Sequence, residues 1–141
     1  MSPYSILVVD DEEPMRKLCG RILRGMGYEA VFAQTLAEVR DKSGSLARLD
    51  LLVTDLKLPD GSGLDVIRAA RAKFPAVGVV VITAYLSLET HRGEFQSLGV
   101  SEADMLSKPF EVARFEAAVK SKLPAPPAEG RGAPVVPGLP E

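Results

Sequence analysis

Short apolar runs and helical repeats alternate five times along this chain. The apolar runs are typical of strands buried on both faces, and they cover residues 6–9, 30–33, 51–54, 77–82 and 105–106. Between the runs, apolar residues recur every three or four positions, as in helices that bury one face. This alternation predicts an α/β fold in which helices cover both faces of a parallel sheet. Five strands are too few for a parallel barrel, so we expect an open, doubly wound sheet.

Several residues mark where the helices should begin. Pro14 suits the first turn of the first helix, and Thr35, with Glu38 three residues later, predicts a capping box for the second helix. Ser62 is the expected N-cap of the third helix. The last two helices are predicted over 88–98, where the repeat is weak and Gly93 interrupts it, and from Val112 to near Leu123.

The composition is that of one globular domain followed by a segment of different character. The chain has 141 residues, of which 46% are hydrophobic, and a formal net charge of −2. We expect a folded domain over 1–123 and, because Pro, Gly and Ala dominate the rest, a flexible tail or linker over 124–141.

Charge balance and cysteine content exclude several classes of protein. With 17 basic against 19 acidic residues and no basic stripe, the chain is not expected to bind nucleic acid directly. Its single cysteine, Cys19, rules out an internal disulfide or a multi-cysteine metal site. No secretory signal or membrane span is apparent, so we expect a cytoplasmic protein without membrane association.

Polar and charged residues follow four of the predicted strands. Asp10 and Asp11 come after the first strand, Asp55 after the third, Thr83 after the fourth and Lys108 after the fifth. Open parallel sheets bind their ligands at the carboxyl ends of the strands. If the first and third strands are neighbours, these side chains converge on one site.

Three converging carboxylates require neutralisation by cations. Two like charges about 4 Å apart repel by roughly 4 kcal/mol at an effective dielectric constant near 20. A divalent cation and the Lys108 ammonium would together balance the three negative charges. Oxygen ligands without His or Cys indicate Mg²⁺, with Mn²⁺ also possible.

Such a site is suited to phosphoryl transfer. A carboxylate can act as a nucleophile toward phosphorus and form an aspartyl phosphate, and Asp55 is placed for this role. The metal and Lys108 would stabilise charge on the phosphoryl oxygens, while Thr83 could donate a hydrogen bond to one of them. Phosphorylation adds negative charge, which can draw Thr83 inward and shift the loop behind it.

The chain resembles the receiver domain of two-component response regulators. The matching segments are ILVVDDEEPMR, LLVTDLKLPDGSGLDVI, VVVITAY and LSKPF, which occur in the family's order between about residues 4 and 123. The resemblance implies a flavodoxin-like sheet with strand order 2-1-3-4-5 and five helices. It also implies a signalling switch rather than an enzyme, with at most slow self-dephosphorylation.

The resemblance assigns roles to particular residues. Asp10, Asp11, Asp55 and the backbone carbonyl of Lys57 would hold Mg²⁺, and Asp55 would take a phosphoryl group from a histidine kinase or a phosphotransfer protein. Thr83 matches the family's switch hydroxyl and Lys108 its phosphate-pairing lysine, followed by a cis peptide bond to Pro109. A downstream protein partner would then respond to phosphorylation.

Two features depart from the family pattern. Met105 stands where receivers usually carry Tyr or Phe, so the aromatic part of the switch is replaced by a thioether. Tyr85 is a further switch candidate or part of a partner face. The segment from Gly99 to Lys108 is also longer than is usual. Both departures fall on the face that receivers use for signalling.

Alternative functions remain compatible with parts of the sequence. Met105 and the longer segment before Lys108 favour a receiver-like interaction module that signals independently of phosphorylation. A flavin-binding protein is disfavoured because the acidic run 10–13 would repel a flavin phosphate. An aspartyl-intermediate phosphatase would usually carry an acid at the position of Lys57.

Overall fold

The fold is built around a parallel sheet of five strands. The structure is a computed structural model that describes residues 4–123; the predicted tail, 124–141, lies outside the described residues. In chain order the strands are β1 (Ile6–Val9), β2 (Ala30–Ala33), β3 (Leu51–Thr54), β4 (Lys57–Leu58), β5 (Gly61–Ser62), β6 (Gly78–Ala84) and β7 (Met105–Lys108). The main sheet has the order β2-β1-β3-β6-β7, all parallel, and β4 pairs with β5 as a small antiparallel hairpin. Counted over the main sheet alone, this is the predicted order 2-1-3-4-5.

Five α-helices cover the two faces of the sheet. They are α1 (Glu13–Gly25), α2 (Leu36–Ser45), α3 (Gly63–Lys73), α4 (Tyr85–Ser97) and α5 (Val112–Lys122), with a short 3₁₀ turn at Glu102–Asp104. Successive strand residues point to opposite faces. In β1, Leu7 and Val9 pack with α2, α3 and α4, whereas Ile6 and Val8 pack with α1 and α5. The predicted doubly wound, flavodoxin-like α/β fold is confirmed.

Side-chain caps fix the starts of α2 and α3. Thr35 accepts a hydrogen bond from the Glu38 N–H at 3.1 Å, but the Glu38 carboxylate accepts from Gln34 rather than from Thr35, so the predicted box is only half formed. A second cap reaches α2 from the β4–β5 turn, where the Asp60 carboxylate accepts the N–H groups of Leu36 (2.7 Å) and Ala37 (3.0 Å). The start of α2 is therefore bound to the loop that follows β3.

The last two sheet strands are longer than their apolar runs. β6 continues through Thr83 to Ala84, and these residues pair with Ser107 and Lys108 of β7. Ladder hydrogen bonds are made by the backbone, so polar side chains do not end a strand. Thr83 and Lys108 consequently lie in the final residues of their strands rather than beyond them. The Lys108–Pro109 peptide bond is cis, as the resemblance implied.

Helix α4 begins earlier than predicted. It starts at Tyr85 rather than near Leu88 and continues without a break through Gly93. Its N-cap, Ala84, has no side chain that could accept a hydrogen bond, which explains why the sequence gives no signal at the true start. None of the helices described over 4–123 is both long enough and apolar enough to cross a membrane.

Candidate functional site

Two neighbouring strands carry the two buried carboxylates of the site. Asp10 follows β1 and Asp55 follows β3, and these strands are paired so that Val9 lies opposite Thr54. The Asp10 N–H donates to the Ala33 carbonyl (3.1 Å) and the Asp55 N–H to the Val9 carbonyl (3.0 Å). The sheet thus holds both aspartates side by side at the carboxyl ends of its central strands.

A third aspartate completes an acidic cluster. One carboxylate oxygen from each of Asp10, Asp11 and Asp55 can be chosen so that the three lie within 4.8 Å of one another. Asp10 exposes only 3% of its surface and Asp55 only 7%, whereas Asp11 is exposed. The Glu12 N–H donates to Asp10 Oδ1 at 2.9 Å, which orients that carboxylate.

Lys108 supplies positive charge to this cluster. Its ammonium lies 2.7 Å from Asp55 Oδ2 and 2.9 Å from Asp10 Oδ2, with Glu12 Oε1 farther away at 3.5 Å. Lys108 lies at the end of β7, which neighbours β6 in the sheet, so its side chain must reach along the sheet edge to meet both acids. The lysine therefore bridges the two buried carboxylates.

The pKa shifts at the site follow from burial and from these contacts. Burial alone would lower the pKa of the Lys108 ammonium, but its hydrogen bonds to Asp55 and Asp10 outweigh burial and raise that pKa above its usual range. Burial raises the pKa of the Asp10 carboxyl, against the lowering effects of the Glu12 N–H and Lys108. The contacts of Lys108 thus favour its charged form, whereas burial disfavours the ionised form of Asp10.

The cluster opens onto a cavity of about 280 Å³. Thr83 is buried in β6, exposes 1% of its surface and lines this cavity together with Asp55 and Lys108. The remaining lining residues include exposed Lys57 and the first turn of α4. The cavity is therefore lined both by carboxylates and by hydroxyl and ammonium donors.

The donor set fits a small divalent cation. The three aspartates offer oxygen ligands that lie close enough to share one ion, and oxygen donors without nitrogen or sulfur suit Mg²⁺ or Mn²⁺. Because Asp11 is exposed, such an ion would keep contact with solvent and retain several waters. The acidic cluster can hold a metal, and Asp10, Asp11 and Asp55 are the side chains that would do so.

Backbone N–H groups of the two following residues contact one oxygen of the Asp55 carboxylate. Asp55 Oδ1 accepts the N–H of Leu56 at 2.6 Å and lies 3.4 Å from that of Lys57. Gly63, at the start of α3, packs against the same segment and donates its N–H to the Leu56 carbonyl at 2.6 Å. Asp55 Oδ2, by contrast, accepts from the Lys108 ammonium.

The two other switch candidates lie apart from this cavity. Met105 is buried, with 4% of its surface exposed, whereas Tyr85 exposes 58% of its surface at the first residue of α4. Both line a separate groove of about 360 Å³ between α4 and α5. At the rim of that groove, Arg92 of α4 forms ion pairs with Glu89 and Glu102.

Sequence reasoning missed several residues that shape the site. Arg16 of α1 donates to the Asp10 carbonyl at 2.6 Å, and Gly63 lies against Asp55. Ser87, in the first turn of α4, lines the cavity beside Asp55 and exposes 8% of its surface. None of the three follows one of the strands that the sequence predicts, so the strand-end rule that identified the other residues could not find them.

Comparison with known proteins agrees with this geometry. The family described as the response regulator receiver domain matches residues 6–120. Response regulator protein PilR of Pseudomonas aeruginosa is 37% identical over 137 residues, which cover 96% of this chain and 29% of PilR. Photosynthetic apparatus regulatory protein RegA of Rhodovulum sulfidophilum is 36% identical over 127 residues, covering 87% of this chain and 67% of RegA.

Solved structures give the same result. A response regulator receiver protein from Pseudomonas putida has a TM-score of 0.75 at 30% identity, covering 86% of this chain and 98% of the other. The beryllofluoride-activated NtrC4 receiver domain dimer has a TM-score of 0.72 at 33% identity, covering 84% of this chain and 94% of the other. With its family match, its relatives and its acidic pocket in agreement, the chain belongs to the response regulator receiver domain family.

Proposed function

We propose that this chain is a phosphoacceptor receiver domain. In this proposal Asp55 takes a phosphoryl group from a histidine kinase or a phosphotransfer protein in a Mg²⁺-dependent reaction, and the change alters binding to a downstream protein partner. The observation that carries the proposal is the contact of the Lys108 ammonium with Asp55 Oδ2 (2.7 Å) inside a cluster of three aspartates.

The residues can perform this reaction without a further nucleophile. Asp55 Oδ2 would attack the phosphorus of a phosphohistidine, forming an acyl phosphate as the P–N bond breaks and its electron pair leaves on the imidazole. Lys108 would then pair with a phosphoryl oxygen, and the Thr83 hydroxyl could donate to another. A bound Mg²⁺ would neutralise charge on the transferred group, held by Asp10, Asp11, Asp55 and, by the family's pattern, the Lys57 carbonyl.

The remaining parts of the proposal concern the surroundings of the domain. We assign 1–123 to the receiver domain and 124–141 to a tail or linker. The receiver would work in the cytoplasm, where buried Cys19 would stay reduced; burial raises the pKa of its thiol to about 12. Thr83, with Tyr85 and Met105 near the α4–α5 groove, would carry the switch to the partner.

Intact-protein mass spectrometry tests the proposal directly. Incubation with Mg²⁺ and acetyl phosphate should add about 80 Da, the mass of one phosphoryl group, at Asp55. The addition should disappear in Asp55→Asn and with excess chelator, but persist in Asp41→Asn, which changes an exposed acid on α2. A folded wild-type protein that gains no mass, from either acetyl phosphate or a phosphorylated histidine kinase, would refute the proposal.

Met105 supports a second candidate function. Because a flexible thioether is buried where the family usually has a ring, the domain could bind its partner through the α4–α5 groove regardless of phosphorylation. An Asp55→Ala variant would then bind the same partners as the wild type. Under the main proposal the two proteins would bind partners differently after treatment with acetyl phosphate.

A further inference from the structure

A second hydroxyl-bearing residue, Ser87, shares the cavity of Asp55 with Thr83. Ser87 is the third residue of α4, has 92% of its surface buried and lines the same cavity as Asp55 and Lys108. Within residues 4–123 its hydroxyl contacts no hydrogen-bond partner, although its main-chain carbonyl lies 3.0 Å from His91 Nδ1. A hydroxyl on a largely buried residue that lines a polar cavity and has no protein partner is suited to a ligand.

The start of α4 adds to this arrangement. Ala84, at the N-cap, provides no side-chain acceptor for the first N–H groups of the helix. These groups give the N-terminus of a helix a partial positive charge, which favours an anion nearby. Ser87 therefore lies where backbone electrostatics and a free side-chain donor both favour negative charge.

The other side chains of the cavity limit what the ligand can be. Asp11 and Glu12 are acceptors that would repel an anion, while Lys57, Lys108, Thr83 and Ser87 are donors. A phosphoryl group on Asp55 would bring three acceptor oxygens into this space. Its oxygens would need donors beyond Lys108, and the hydroxyls of Thr83 and Ser87, both on largely buried residues, have no hydrogen-bond partner within residues 4–123.

We propose that Ser87 is a phosphoryl-binding residue of this domain. Its hydroxyl would donate a hydrogen bond to an oxygen of the group carried by Asp55, alongside Thr83 and Lys108. The inference rests on the proposed phosphorylation of Asp55. It also gives phosphorylation a direct contact with the first turn of α4, which carries the exposed side chains of Tyr85 and Leu86.

Beryllofluoride, which mimics a phosphoryl group on an aspartate, provides the test. The full chain with Mg²⁺ is titrated with beryllofluoride, and the bound probe is followed by ¹⁹F NMR in wild type, Ser87→Ala and Ser87→Thr. Ser97→Ala is the matched control, because Ser97 lies exposed on the same helix and donates to the Glu94 carbonyl at 2.7 Å. Affinity for Mg²⁺ alone is measured for each variant.

Ser87→Ala should bind beryllofluoride about ten-fold more weakly, as expected for the loss of one hydrogen bond to a charged acceptor. Its bound ¹⁹F resonance should shift, Ser87→Thr should restore both properties, and Mg²⁺ affinity and melting temperature should be unchanged. Equal affinities for wild type and Ser87→Ala, or an equal loss in Ser97→Ala, would overturn the inference and leave the proposed function standing. A wild-type protein that does not bind beryllofluoride would overturn both.

Discussion

Substitution of Gly63 by Ala should disturb the backbone that carries Asp55. A Cβ atom at Gly63 would lie closer to the Asp55 carbonyl oxygen than Cβ atoms pack in real proteins, and it would make a tight contact of 3.0 Å with Leu56 Cα. Both contacts are with backbone, so no side-chain rotation can relieve them. The Gly63 N–H also donates to the Leu56 carbonyl at 2.6 Å, which ties α3 to the same segment.

The size of the effect follows from this clash. Restoring ordinary contact needs a backbone displacement of at least about half an ångström, and overpacking of this kind costs about 2–3 kcal/mol of unfolding free energy. The displacement acts on Asp55 itself, so its reaction with acetyl phosphate should slow at least about ten-fold, because reactivity depends steeply on the position of the nucleophile.

Urea unfolding followed by circular dichroism measures the loss of unfolding free energy, and the rate of mass gain with acetyl phosphate measures the reactivity of Asp55. Gly93→Ala is the matched control, since a Cβ there would have no atom within 4 Å. It should be stabilised by about 0.5–1 kcal/mol, because Ala favours a helix over Gly. If Gly63→Ala proves as stable and as reactive as Gly93→Ala, the close packing of α3 on Asp55 is refuted.

Three further predictions concern polar groups away from the pocket. Ser43→Ala should raise the unfolding free energy by about 1 kcal/mol, because the buried Ser43 hydroxyl has no partner within the described residues; a loss of stability in urea unfolding would contradict this. Lys122→Met should lower the unfolding free energy by about 2 kcal/mol by leaving the buried Asp104 carboxylate, 2.6 Å from Lys122 Nζ, without its cation. Part of that loss should return in the double variant with Asp104→Asn, and a double variant no more stable than Lys122→Met would contradict it. For Asp50, burial raises the pKa of the carboxyl, but Arg48 and a backbone N–H outweigh burial and lower that pKa below its usual value of 3.8. The stability that the ionised Asp50 contributes over Asp50→Asn should therefore be constant at neutral pH and decline as pH falls below about 5 and through the lowered pKa; a difference independent of pH would refute the assignment.

The strands of the main sheet could be predicted because they depend on patterns that are local in the chain, whereas their order came from the resemblance to receiver domains. Continuous apolar runs identify strands that are buried on both faces, and alternation within β1 separates the residues of the two cores. The proximity of Asp10 and Asp55 was predicted on the condition that the first and third strands are neighbours, and β1 does pair with β3. Their roles, like that of Lys57, stay predictions until phosphorylation and metal binding are measured.

The features that escaped prediction depend on contacts between distant parts of the chain or on polar backbone pairing. The β4–β5 hairpin has strands of only two residues, too short for a periodic signal. Asp104 reads as an ordinary loop acid, yet it is buried against Lys122 of α5 and accepts a hydrogen bond from Ser101. Ser87 lies in the first turn of α4, whose start has no capping residue that the sequence could reveal.

The Asp60 cap means that the helices on the two sides of the acidic pocket are held differently at their first residues. On one side, a carboxylate from the hairpin after β3 binds two N–H groups of α2, so the hairpin cannot tilt without breaking both hydrogen bonds. On the opposite side, α4 begins at a residue with no side-chain anchor. A rearrangement that starts at Asp55 would therefore meet two cap hydrogen bonds at the start of α2 and no side-chain cap at the start of α4, so we expect it to be directed toward α4.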